Sequence, residues 1–188
     1  MQLRRISAAG TPPVTLDEAK ARLRVTYDTE DPVITAMIAA ACDVVGEKAC
    51  RVLAAETWQA ADFSLSGAVI LPKSPVTALV SVTWLDAAEA VQTATLSDYS
   101  LVQTDDWSTV QPKAGKTWPT ALADRPDAVR VQFTAGYTTL PAALKEAVLL
   151  MVGHLFRNRE GVVDGVSGAD LPLSIQGLID FYRLKWFG

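Results

Sequence analysis

The residues of this chain that could do chemistry are few: one histidine, two cysteines and two close pairs of aspartates. A serine or cysteine hydrolase would have to use His154, since a triad needs an imidazole and no other exists. His154 is followed by Leu155 and Phe156 in an apolar segment, which reads as a hydrogen-bonded core or interface histidine. Asp105 and Asp106 could suggest acid–base work or a metal, yet adjacent acids beside Trp107 read as a solvated turn. Asp164 and Asp170 could hold calcium, but they lack the spacing of an EF-hand loop and read as a solvated linker. Gly115-Lys116-Thr117 imitates the end of a phosphate-binding loop. The glycine needed at position 110 is Val110, and Trp118-Pro119 stands where a helix should begin. Ser167 lacks glycines two residues away on both sides, so Gly165 to Gly168 is not a nucleophile elbow. Cys42 and Cys50 fall on one expected helix, about 12 Å apart, too far for a disulfide. With one histidine they cannot build a structural zinc site. They read as reduced, buried thiols of a protein made in the cytosol. No catalytic, metal or cofactor site is expected.

The bulk properties narrow the class. A length of 188 residues makes one domain the default. With 49% hydrophobic and 20% charged residues the chain is globular. A net charge of −4 and a pI near 5.0 argue against a protein whose main work is coating nucleic acid. No apolar run approaches the ~20 residues of a membrane span. Arg4 and Arg5 are not followed by an apolar segment, so no signal peptide is expected.

The element that should position everything else is a helix over residues 141–160, roughly 30 Å long. Pro141 suits its first position, where no N–H is needed. Leu144, Ala147, Val148, Met151 and Leu155 share one side, and Leu149, Leu150, Val152 and Phe156 fill most of the rest. A helix apolar nearly all round is a buried one. The expected fold is therefore α+β: a helical bundle around this central helix, with a β insertion over residues 56–135. The expected parts of this one domain are an arm (1–14), a helical part (15–55), the insertion (56–135), the central helix (136–161), and a loop with a last helix (162–188).

In chain order, Gly10, Pro12 and Pro13 keep the arm extended. Thr15 and Glu18 form a capping box for a short helix to Arg24. Asp31 as cap and Pro32 as first residue start a second helix, to about Leu53, buried along Ile34, Met37, Ile38, Ala41, Val45 and Val52. Glu47 and Arg51 have favourable helical spacing. Strands are expected at residues 57–65, 79–85, 91–96, 99–102, 108–111 and 129–133, with a short extended stretch at 69–72, from their β-branched and aromatic content or alternation. Residues 161–169 read as a loop.

The last helix places Ile175, Leu178, Ile179 and Tyr182 on one face, and the chain ends with Phe181, Trp186 and Phe187. Chain ends are usually polar. An aromatic end docks on its own domain or on a partner. Arg157 and Arg159 could make polar contacts between subunits or simply stabilise a helix C-terminus.

The ordered set of motifs resembles the head–tail connector, or adaptor, family of long-tailed bacteriophages and gene-transfer agents. The set runs from Val14-Thr15-Leu16-Asp17-Glu18-Ala19-Lys20 and Leu23-Arg24-Val25 to Asp31 with Ile34, Ile38, Ala40 and Ala41. It continues through Thr57-Trp58, Leu71-Pro72, Pro75-Val76, Trp118-Pro119 and Thr134-Ala135-Gly136-Tyr137. It closes on Pro141, Leu144-Lys145-Glu146-Ala147 and Asn158-Arg159-Glu160. One departure is Ala49-Cys50-Arg51, where the resemblance implies a small-residue turn such as Thr-Gly-Arg. The resemblance implies a structural virion protein, not an enzyme. Such proteins form rings, commonly of twelve subunits, between the portal at the capsid vertex and the next tail-completion (stopper) protein. DNA would pass through the channel without sequence-specific binding, and no membrane is involved. On that reading the interface residues are Ile175, Leu178, Ile179, Phe181, Tyr182, Trp186, Phe187, Arg157 and Arg159, with the last helix docking into the portal and the insertion facing a neighbour or the tail. Alternatives are another tail-completion component, a stopper or tail terminator, or a small hydrolase using Asp105, Asp106 or His154.

Overall fold

The structure, a computed structural model, describes residues 2–8, 10–61, 67–104, 106–120, 122–159 and 172–184. Among them are four helices and two antiparallel sheets, so the chain is mixed α and β. The chain forms two compact units, one from Met1–Gly10 and Ala54–Thr138, the other from Thr11–Leu53 and Thr139–Gly188.

The first unit is built on β8 (Val129–Ala135), whose strict alternation buries Val129, Val131, Phe133 and Ala135 and leaves the residues between them half-buried. That period of two is what a strand with one face on a core requires. On one side β8 pairs with β2 (Glu56–Ala61), and β2 with β1 (Gln2–Ser7). On the other side it pairs with β4 (Val76–Leu85), and β4 with β5 (Val91–Thr93). Only residues 2–7 of the expected arm (1–14) form an edge strand, on the open ladder of β2. The expected strand over residues 91–96 stops at Thr93, and a 3-10 turn follows at Leu96–Asp98. A second sheet holds β3 (Val69–Leu71), β7 (Ser108–Pro112) and β6 (Tyr99–Gln103), in that order. Its packing is pinned by Trp118, whose indole N–H donates to the Gly67 carbonyl at 2.7 Å and whose ring lies 5.0 Å from that of Tyr99.

Gly136, at the end of β8, has φ +122, and a Cβ there would lie 2.1 Å from the Ala54 carbonyl oxygen. Its N–H donates to Pro75 O at 2.8 Å. Only glycine fits this approach of two backbones. The peptide between Ser74 and Pro75 is cis.

The second unit holds α1 (Leu16–Leu23), α2 (Asp31–Ala49), α3 (Ala142–Arg157) and α4 (Leu173–Asp180). The capping box forms in full: Thr15 Oγ1 accepts from Glu18 N at 3.3 Å, and Glu18 Oε2 accepts from Thr15 N at 3.1 Å. Ile34, Ile38, Ala41 and Val45 are buried along α2, while Met37 is only half-buried. Helix α2 begins one residue earlier in the capping scheme than expected. Glu30 is its cap and Asp31 its first residue, since the Asp31 carboxylate lies 2.7 Å from Lys20 Nζ and does not turn back onto the helix.

Four expectations are corrected in this unit. Helix α2 ends at Ala49, and Cys50 follows in the left-handed conformation with φ 54. Cys50 N–H bonds Glu47 O at 3.1 Å and Arg51 N–H bonds Gly46 O at 3.0 Å, which closes the helix as a Schellman turn. Cys50 is therefore exposed, not a buried thiol. Cys42 is half-buried on α2, and desolvation, with Asp43 nearby, pushes its thiol up to about 11. Helix α3 is not buried all round. Helices α1, α2 and α4 contact it, and they cover Leu144, Ala147, Val148, Met151 and Val152. Leu149, Leu150, Leu155 and Phe156 stay half-buried because no described element covers that side completely. Pro141 is the cap of α3, with ψ 141, and not its first residue.

Candidate functional site

The residues expected at a partner interface separate by burial. Ile175 and Ile179 are 1% and 2% exposed, because α4 lies against α3 and α2 and turns them inward. Leu178 is half-buried. Helix α4 stops at Asp180, earlier than a helix reaching Phe187 would require. Phe181 is 82% exposed and stacks edge-on against Tyr182 at 5.1 Å, while Leu173 at the other end of α4 is 86% exposed. The segment after α4 is tied down within its own unit. Arg51 Nε donates to Tyr182 O at 2.9 Å, and Leu184 N donates to Ala49 O at 3.1 Å. Trp186 and Phe187 lie outside the described residues, as do Asp105, Glu160, Asp164, Ser167, Asp170 and the expected loop over 161–169.

Arg159 serves its own unit. Its Nη2 donates to Glu30 Oε2 at 2.6 Å, and its guanidinium sits 4.4 Å from the centre of the Phe156 ring. The pair holds the Glu30 carboxyl below its usual range. Lys145 likewise bonds Glu18, the strongest of the contacts that lower the Glu18 carboxyl. Arg22 Nη2 reaches Glu146 Oε1 at 2.6 Å. These bridges join α1, α3 and the turn before α2, so they organise the helices and leave Arg157 as an exposed cation.

The groove formed by the open side of α3 was not anticipated. It encloses about 920 Å³. Leu149, Leu150 and Phe156 form an apolar floor, and Arg22, Arg24 and Arg157 line it as well. Arg24 closes α1 with φ 58, which turns its backbone out of the helix. Arg24 and Arg157 make no ion pair among the described residues. The sequence did carry a signal for this groove: an apolar arc on α3 too wide for three neighbouring helices to cover.

Among the described residues, those with catalytic potential do not gather into a site. His154 Nδ1 lies 3.2 Å from Asn158 Nδ2, which also donates to His154 O at 3.0 Å. Among the described residues no group of three or more His, Cys, Asp or Glu could hold a metal ion. Gly115 takes φ 78 in a turn closed by Lys116 N–H to Lys113 O, and Lys116 Nζ pairs with Asp98 at 3.1 Å. Asp106 and Trp107 sit in the tip between β6 and β7, where Thr104 Oγ1 accepts from Trp107 N at 3.0 Å. Among the described residues no helix is long and apolar enough to cross a membrane.

No family model and no curated protein matches the chain. Solved structures do share its fold. A chain in the neck of an empty gene transfer agent (GTA) particle with C6 symmetry superposes with a TM-score of 0.81 at 21% identity, over 99% of this chain and 97% of that one. A chain in the virion of a native GTA particle gives 0.80 at 20% identity, over 99% and 97%. A chain in the neck of a native GTA particle with C12 symmetry gives 0.75 at 22% identity, over the same shares. The resemblance read from the ordered motifs thus extends to the fold, with the solved neighbours coming from the neck and virion of GTA particles.

Proposed function

We propose that this chain is a structural protein of a virion or virus-like DNA-transfer particle, located in the neck at the head–tail junction. It acts as one subunit of a homo-oligomeric ring, commonly of twelve copies, between the portal and the next tail-completion protein. DNA passes through the ring without sequence-specific contacts, and the protein performs no catalysis. The observation that carries this reading is the fold likeness to GTA neck chains over 99% of this chain and 97% of theirs. The acidic balance agrees with it, since a channel wall poor in basic residues avoids tight phosphate contacts. The C6 and C12 symmetry of the neck particles supports a ring.

The portal contact falls to the exposed part of α4 and the residues after it. Ile175 and Ile179 hold α4 on its unit, so removing the helix would open the core. Phe181→Asp with Leu173→Asp, or truncation after Leu184, tests docking without that damage. Native mass measured for the chain alone and mixed with its portal decides the main reading. A ring, formed alone or only on the portal, supports it. A chain that stays monomeric and ignores the portal overturns it.

A further inference from the structure

The groove on α3 has an apolar floor and two cations, Arg24 and Arg157, with no ion pair among the described residues, in a chain whose net charge is −4. Its occupant should bring an apolar group and negative charge together. The tip between β6 and β7 has that composition. Trp107 is 55% exposed there, and residues 103–109 contain two acids and no base. Among the described residues Phe181 and Tyr27 are also exposed aromatics next to an acid, but the Asp28 beside Tyr27 is paired with Lys20 at 2.6 Å, and Phe181 already stacks on Tyr182 with Arg183 two residues away. A cationic rim would repel that arginine. A DNA backbone would satisfy Arg24 and Arg157 but offers nothing apolar for Leu149, Leu150 and Phe156.

We propose that the groove of one copy receives the β6–β7 tip of the next copy, with Trp107 on the apolar floor and Asp106 facing Arg24 and Arg157. This rests on the ring reading and names the contact that builds the ring. Groove and tip are different patches, so the contact is heterologous. Each copy then offers one of each, and repetition closes into a ring where the rotation allows. Trp and Arg are the side chains that most often anchor such contacts.

Cysteine pairing tests the contact directly. Gly153 lines the groove, and a Cβ added there meets nothing within 4 Å. In a Cys50→Ser background, Asp106→Cys with Gly153→Cys should give a ladder of covalent multimers when the assembled ring is oxidised. Each single cysteine should give no ladder. Arg24→Glu with Arg157→Glu should abolish the ring mass, and adding Asp106→Lys should recover part of it. A ring of normal mass without a ladder overturns this contact and leaves the ring reading standing. A charge variant that keeps its ring but loses DNA retention would make the groove a nucleic-acid site and also overturn it. A wild-type chain that never leaves the monomer, alone or on the portal, removes the ring reading first and this contact with it.

Discussion

The two units of the molecule are held by different kinds of constraint. In the β unit the decisive interactions are between backbones: the ladders around β8, and the approach of Gly136 to Ala54. In the helical unit they are between side chains. Apolar stripes on α2 and α3 meet, and ion pairs such as Arg22–Glu146 and Arg159–Glu30 tie the helices. A backbone approach tolerates no added atom, whereas a side-chain core yields in proportion to what is removed. One unit should therefore fail abruptly on the smallest change and the other by degrees.

That contrast is sharpest at Gly136. Gly136→Ala places a methyl 2.1 Å from Ala54 O, so strand β8 must shift. The expected loss is above about 4 kcal/mol, the exceptional range for one substitution, read as loss of cooperative unfolding in denaturant. A mild effect would break the comparison. Leu144→Ala, fully buried on α3, should cost about 3 kcal/mol and leave the denaturant transition cooperative with a lower midpoint. At Cys50, the left-handed φ of 54 penalises any side chain. Cys50→Gly should raise stability by about 1 kcal/mol or slightly less, seen as a small increase in melting temperature.

Acid should affect both units gently. Hydrogen bonds from Lys145, Lys20 and Arg159 lower the carboxyls of Glu18, Asp28 and Glu30, and Asp86 and Asp127 in the β unit are lowered by Gln92 and Arg125. Groups with lowered values add stability that is present above the unfolded pKa and lost as pH falls through the folded one. Stability should then be level near neutrality and decline below about pH 4, measured by denaturant midpoints across pH. Loss beginning near pH 6 would contradict it.

The helical unit was the more legible. Its caps and stripes are local: Thr15 and Glu18 are three residues apart, and Ile34, Ile38, Ala41 and Val45 repeat at helical spacing. The β strands were found mostly from composition and alternation, but their partners were not. Nothing local says that residues 2–7 pair with β2, or that Leu71 belongs to a different sheet from Val82. An aromatic C-terminus points to an interface at the last helix, and burial divides its residues: Ile175 and Ile179 face inward, and Phe181 faces out.

What the sequence determined by itself is the set of short-range choices: where helices begin to within a residue, which faces are apolar, and the alternation of β8. Even Cys50 marked its own position, standing where the resemblance implies glycine and taking the φ of 54 that glycine favours. Only the tertiary structure decided which apolar surface is covered. The wide arc of α3 reads as core in sequence, but α1, α2 and α4 cover only part of it, and the remainder becomes a groove beside Arg24 and Arg157. The physical reason is that periodicity reports how apolar a face is, while burial depends on neighbours that lie far away along the chain.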